Sequence, residues 1–343
     1  MYYIRFILSI SLICASITLM WPGLGYSQEE QTVRDTSYVR MLNEQAADML
    51  ESEASDSVKA IIDEALSLAG LLNDFEGEAR ATTNLASFYL DRGRPNSVIE
   101  LLEGDFSRYL ESDYAVQLGN ILGTAYNRVG KYSESLQLYL QMRDLAEERG
   151  EDRMVMGITQ NLGNTYGSLG DIPEAVNSYL TSLELAEEAQ DTVVIAVVLD
   201  NLASLNEKAG NYELAEEYLI RALDLNKRIN NRSNQITNHM SFGILNKNWG
   251  KYDLAEQNYS KVLEISEDLD NVISEIQGLY NFGLLYDETE EYDRAMEMFE
   301  RSFEMSREYG IGIGAFYNQN GMANVYADLG ESDQAAALFE EAL

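Results

Sequence analysis

The sequence predicts an all-α protein, a solenoid of antiparallel helix pairs, and three observations carry that prediction. Gly130, Gly170, Gly210, Gly250 and Gly330 stand multiples of forty residues apart, with Glu290 in the missing place. Within each repeat the apolar residues recur at spacings of three and four, the period of one helix face. Only 3 prolines occur among 343 residues. That suits a chain made mostly of helix, since proline removes a backbone donor and clashes with the preceding turn.

Residues 1–27 differ from the rest. Arg5 is their only charge, Phe6 to Trp21 is an apolar run, and Pro22, Gly23, Gly25 and Ser27 follow. A positive tip, an apolar stretch and a small-residue zone read as a secretory signal peptide. Cleavage is expected after Ser27. An uncleaved anchor is the alternative, but a spanning helix needs about 20 apolar residues and this run is broken by Ser9, Ser11 and Ser16. A lipoprotein signal fits poorly, because Ile13 rather than a small residue precedes Cys14. Cleavage would remove the only cysteine and leave an exported chain held by packing alone. Residues 28–37 read as a polar linker.

From residue 38 onward each repeat reads as two helices. In the fourth, Ile158, Leu162, Tyr166 and Leu169 form one face, and Gly170 closes the helix as a residue able to take positive φ. Ala175, Tyr179, Leu183 and Ala186 make the second stripe. Ser133, Asp253, Asp293 and Asp333 are expected to cap the second helices elsewhere, Asp253 with Glu256 as a capping box. Pro173 fits a first turn. Small residues at the Gly163 and Ala175 columns are expected to let paired helices approach closely. The aromatic column of Tyr139, Tyr179, Tyr259, Phe299 and Phe339 is expected to fill the gap to the next repeat. One pair cannot bury its apolar face alone, so stacking is required.

The pattern of Asn161-Leu162-Gly163, Tyr166, Gly170, Ala175, Tyr179 and Leu183 resembles the tetratricopeptide repeat, in a forty-residue form of the usual 34-residue unit. The resemblance implies a right-handed superhelical solenoid over residues 38–343. About eight repeats begin near 38, 76, 113, 153, 193, 233, 273 and 313, the first degenerate and the last incomplete. The second repeat, with Asn84-Leu85-Ala86, Tyr89 and Gly93, has an irregular second helix.

Composition narrows the function. With 58 Asp+Glu against 24 Lys+Arg the net charge is −34, so no basic surplus exists to displace counterions from nucleic acid or to dock on anionic lipid. One cysteine and one histidine, His239, leave little for a metal site or a catalytic triad. No catalytic residue, metal or cofactor is expected. His239 reads as a surface or groove residue. Gly310-Ile311-Gly312-Ile313-Gly314 reads as a flexible turn rather than a phosphate loop, because a helix and not a strand precedes it. Acidic pairs such as Glu147-Glu148, Glu187-Glu188 and Glu290-Glu291 read as solvated surface.

In the family the first helices line the concave face. Carried over, that resemblance makes two rows the candidate peptide-binding groove. One is Asn120, Gln160, Asp200, Met240, Tyr280 and Asn320. The other is Thr124, Asn164, Ser204, Ile244, Leu284 and Asn324. The pairs are four apart and so share a helix face. Amides both donate and accept, which suits the backbone of an extended peptide, while the apolar members suit side-chain anchors. An ordinary solvated groove is the alternative. Neither row holds a base, so a carboxylate clamp of the kind some relatives use is not expected. A neutral or basic partner is favoured, and the column of Asn84, Asn161, Asn201 and Asn281 is structural.

The last repeat stops mid-helix at Leu343, where solenoids normally end in a polar cap. Two functions follow. One is a non-catalytic protein- or peptide-binding scaffold, exported to the periplasm or cell envelope. The other is the sensory N-terminal part of a larger signalling protein whose membrane helix and output domain (histidine kinase, cyclase or DNA-binding regulator) lie beyond this segment.

Overall fold

The computed structural model describes residues 28–50 and 55–342. The expected signal peptide over residues 1–27 lies outside the described residues. Among those described there are sixteen α-helices and no strand. They form two compact bodies, one ending at Lys131 and the other beginning at Tyr132. No described helix is long and apolar enough to cross a membrane.

The first body holds α1 (Gln28–Leu50), α2 (Asp56–Leu72), α3 (Phe75–Asp91), α4 (Pro95–Leu102) and α5 (Ala115–Arg128). Residues 28–37, expected as a polar linker, are instead the opening turns of α1. Polarity misled there: Gln, Glu and Arg are good helix formers, and no Gly or Pro interrupts them. Val58 and Ile62 of α2 pack with Ala46, Leu85 and Phe88 in the core. Asn84 is structural, as expected: its Nδ2 donates to Asn43 O at 3.0 Å, joining α3 to α1. The irregular second helix of repeat two is the short α4, followed by a single 3-10 turn over Phe106–Tyr109.

The second body holds α6 (Tyr132–Arg149) and five helix pairs. The first helices are α7 (Asp152–Leu169), α9 (Thr192–Lys208), α11 (Arg232–Asn248), α13 (Val272–Glu288) and α15 (Gly312–Asp328). The second helices are α8 (Ile172–Glu188), α10 (Tyr212–Arg228), α12 (Tyr252–Asp268), α14 (Tyr292–Glu308) and α16 (Ser332–Ala342). Both sets start forty residues apart. Each first helix packs on its own second helix and also touches the next first helix, so the first helices form a continuous layer.

Three local expectations change in detail. The nearest neighbours of the glycine column are the aromatic rings. A Cβ on Gly163 would sit 2.6 Å from the Tyr179 ring, one on Gly243 2.2 Å from Tyr259, and one on Gly283 2.4 Å from Phe299. The close approach is therefore ring on glycine within a repeat, because a flat ring needs the space a side chain would take. Phe299 also reaches Gly321 of the following repeat, where a Cβ would meet it at 2.7 Å, so the aromatics bridge repeats as expected.

Asp253 and Asp293 lie inside the first turns of α12 and α14 rather than at their caps, which are Lys251 and Glu291. There they act on the helix dipole. Ser133 and Asp333 likewise sit second in α6 and α16. No Asp253–Glu256 capping box forms, because Glu256 instead accepts from the Tyr286 hydroxyl at 2.8 Å. The side-chain caps belong mainly to first helices: Asp191, Asn231 and Asn271 accept from the backbone N–H three residues on. Finally, the Gly310–Gly314 run is only partly a turn. Gly310 takes φ +71°, while Gly312 and Gly314 already lie in α15.

Candidate functional site

Both expected rows lie on first helices, one turn apart, and are half-buried except Asn324, which is exposed. Asn120 and Thr124 are on α5 of the first body, where the Thr124 hydroxyl donates to Asn120 O at 2.9 Å. The other ten residues share the second body.

On α7, Asn164 Oδ1 accepts from the Tyr179 hydroxyl at 2.6 Å, with Gln160 one turn before it. Tyr179 is 6% exposed, and burial pushes its hydroxyl up to about 12. Asp200 on α9 is held from the neighbouring first helix. Asn238 Nδ2 donates to one carboxylate oxygen at 2.9 Å and Ser241 Oγ to the other at 3.0 Å. Asn226 Nδ2 on α10 donates in turn to Asn238 Oδ1 at 2.7 Å. Burial raises the Asp200 pKa above its ordinary value, and the two donors oppose that rise. Ser204 lines a small cavity of about 40 Å³ with Glu207, Ser241 and Ile244.

Met240, Ile244, Tyr280 and Leu284 are partly used by the fold itself, packed against the core around Tyr259, Phe282 and Phe299. The Tyr280 ring lies 5.8 Å from that of Phe299 and 6.1 Å from that of Tyr317. Between α13 and α15 it borders an apolar cavity of about 280 Å³, with Ile273, Ile276, Ile311, Ile313 and Tyr317. Sequence reasoning missed this cavity, although Ile273 and Ile313 are themselves forty apart. It also missed Asn226, Asn238 and Ser241, whose partners come from other repeats. Asn320 and Asn324 lie on α15, beyond the cavity.

The residues set aside from chemistry are mostly engaged in packing and pairing. His239 Nδ1 lies 2.9 Å from Asn258 Oδ1, and burial lowers its pKa. Glu187 pairs with Arg221, and Glu291 with Arg294 at 2.8 Å. These acids are thus ion-paired surface rather than merely solvated. A further cavity of about 410 Å³ lies among α6, α7 and α8, lined by Arg143, Glu147, Thr159 and Asn177 among others.

Comparison with known proteins agrees with this geometry. The aspartyl phosphate phosphatase F of Bacillus subtilis superposes with a TM-score of 0.62 at 14% identity, covering 94% of this chain and 95% of its own. A Rap protein complexed with competence and sporulation factor reaches 0.68 at 14% identity, covering 93% and 87%. NprR in complex with its cognate peptide NprX reaches 0.56 at 17% identity, covering 85% and 82%. At such identities the likeness is one of fold. No curated protein sequence matches the chain. One tetratricopeptide repeat model matches residues 114–188, 194–268 and 248–308, and a second matches 319–341. These matches span more than half of the sequence and fall on the helix pairs described above, so the chain belongs to the tetratricopeptide repeat family.

Proposed function

We propose that this chain is a non-catalytic scaffold that binds a protein or extended peptide on the face formed by its first helices. One observation carries the reading. In the second body that face combines polar groups able to bond a peptide backbone with an apolar cavity. Around it Ile273, Ile313 and Tyr317 are 60%, 68% and 49% exposed. Large apolar side chains gathered at a cavity rim are characteristic of binding surfaces. Two similar folds are named with a bound partner, for NprR the peptide NprX, which supports the same class of partner here. A third is named a phosphatase, and at 14% identity that likeness extends to the fold. A neutral or basic partner suits the net charge of −34. The apolar leader supports a site of action outside the cytoplasm, in the periplasm or envelope.

Peptide display on the purified chain, followed by anisotropy with the selected peptides, tests the reading. Gln160→Ala and Tyr280→Ala should each weaken binding while circular dichroism stays unchanged. Selected peptides whose affinity is indifferent to both changes would place recognition elsewhere. Export is tested by fusing residues 1–27 to a reporter active only outside the cytoplasm. An inactive, cytoplasmic fusion removes that part.

A further inference from the structure

The cavity between α13 and α15 has a second feature on the same face. Asp287 lies seven residues beyond Tyr280 on α13, about 10 Å along the helix at 1.5 Å per residue. Its Oδ1 is buried and has no hydrogen-bond partner.

The repeat shows what is unusual here. At the same place one repeat earlier, Lys247 Nζ meets Glu288 Oε2 at 3.0 Å. One repeat before that, Asn248 Nδ2 donates to Glu207 Oε1 at 2.5 Å. In both, a donor on one first helix satisfies an acid on a neighbouring first helix. The third instance of the pairing sets Asp287 against Asp328, and the two carboxylates repel. The lining helices offer nothing to balance them. α13 carries Glu275, Asp287 and Glu288, α15 carries Asp328, and neither helix has a Lys or Arg.

We propose that this face takes an extended peptide segment bearing an apolar or aromatic side chain and, about three residues away, a Lys or Arg. The apolar group fills the cavity between Ile273 and Tyr280 on one side and Ile313 and Tyr317 on the other. The cation sits beside the Asp287 and Asp328 carboxylates and supplies the positive charge that neither lining helix carries. The spacing follows from geometry, since the roughly 10 Å from Tyr280, at the near end of the cavity, to Asp287 is covered by three residues of extended chain at roughly 3.3 Å each. The cavity selects the anchor and the paired acids select its charge. This inference rests on the first-helix face being a peptide-binding face and specifies its ligand.

The probe is a labelled octapeptide of Gly and Ser with one Phe and one Arg three positions on, titrated against the full chain by anisotropy. Exchange of its Arg for Glu, or its Phe for Ser, should weaken binding at least about tenfold, the effect of losing roughly 1.4 kcal/mol. Ile313→Ser, at a position 68% exposed and so safe for folding, should weaken it comparably. Asp287→Asn should abolish the preference for Arg over Ser while the dependence on Phe remains. The proposal fails if the probe shows no saturable binding, or if either variant binds it as tightly as the parent does. Display-selected peptides that lose affinity in Gln160→Ala but not in Ile313→Ser or Asp287→Asn would leave the scaffold reading standing and overturn this one.

Discussion

The Tyr179 hydroxyl donates to Asn164 Oδ1 at 2.6 Å, joining the second helix of repeat four to a groove residue on its first. Two and three repeats on, the same two columns hold Tyr259 with Ile244 and Tyr280's neighbour Phe299 with Leu284. Phe with Leu needs no partner. Tyr259 keeps the hydroxyl, is fully buried and has no acceptor for it.

That contrast predicts opposite results for one chemical change. Tyr179→Phe should lower stability by about 1 kcal/mol, and Asn164→Ala by about 1–3 kcal/mol, because the latter strands a buried hydroxyl. Tyr259→Phe should be neutral or stabilising, since it removes a polar group that is already unsatisfied. Urea unfolding of the three variants measures this. A loss in Tyr259→Phe equal to that in Tyr179→Phe would refute the distinction.

Gly243→Ala should destabilise although alanine is the better helix former. The propensity gain is about 1 kcal/mol. The new Cβ would sit 2.2 Å from the Tyr259 ring, and relieving such an overlap in a packed core costs about 1–3 kcal/mol. Gly157→Ala is the control, because its Cβ would meet nothing within 4 Å and only the propensity gain applies. Thermal midpoints should therefore move in opposite directions.

Glu290 takes φ +62° where Gly130, Gly170, Gly210, Gly250 and Gly330 take between +75° and +80°. A left-handed backbone costs a side-chain-bearing residue about 1–2 kcal/mol, partly offset by the greater freedom glycine has when unfolded. Glu290→Gly should thus raise stability by about 0.5–1 kcal/mol. Differential scanning calorimetry that finds an unchanged or lower midpoint contradicts it.

Asp200 makes a pH prediction. Burial raises its folded pKa above the ordinary 3.8. Between those two values the folded chain holds the proton more tightly than the unfolded one. The resulting stabilisation is fully present below 3.8 and is lost as pH rises through the folded pKa. Asp200→Asn can keep both contacts, accepting from Asn238 and donating to Ser241. It should gain stability relative to the parent as pH climbs from 4 to 7. Parallel stability–pH curves for parent and variant would show that Asp200 does not titrate as described.

The helix pairs were legible because they are periodic. A forty-residue register in glycine, aromatic and small residues places helix starts to within a residue or two over repeats four to eight. That the two rows lie one turn apart on the first helices was legible for the same reason, as every fourth residue shares a face. Asp200's neighbours were not legible. Asn238 and Ser241 belong to the next repeat; the first stands in a column that holds Ile158 and Val198 elsewhere, and the second in the Asn161–Asn281 column, whose spacing names no partner. The 28–37 segment failed for another reason: without a hydrophobic stripe, a polar helix and a polar linker read alike.

The sequence by itself determined the repeat, its helical character and the residues available on each face, because those follow from local propensity and period. Tertiary structure decided which residues meet. Only packing turned the glycine column toward aromatic rings, left the Tyr259 hydroxyl alone, set Asp287 against Asp328 and opened the cavity beside Tyr280. Each of these depends on distances between side chains of different helices, and a one-dimensional period carries no information about those distances.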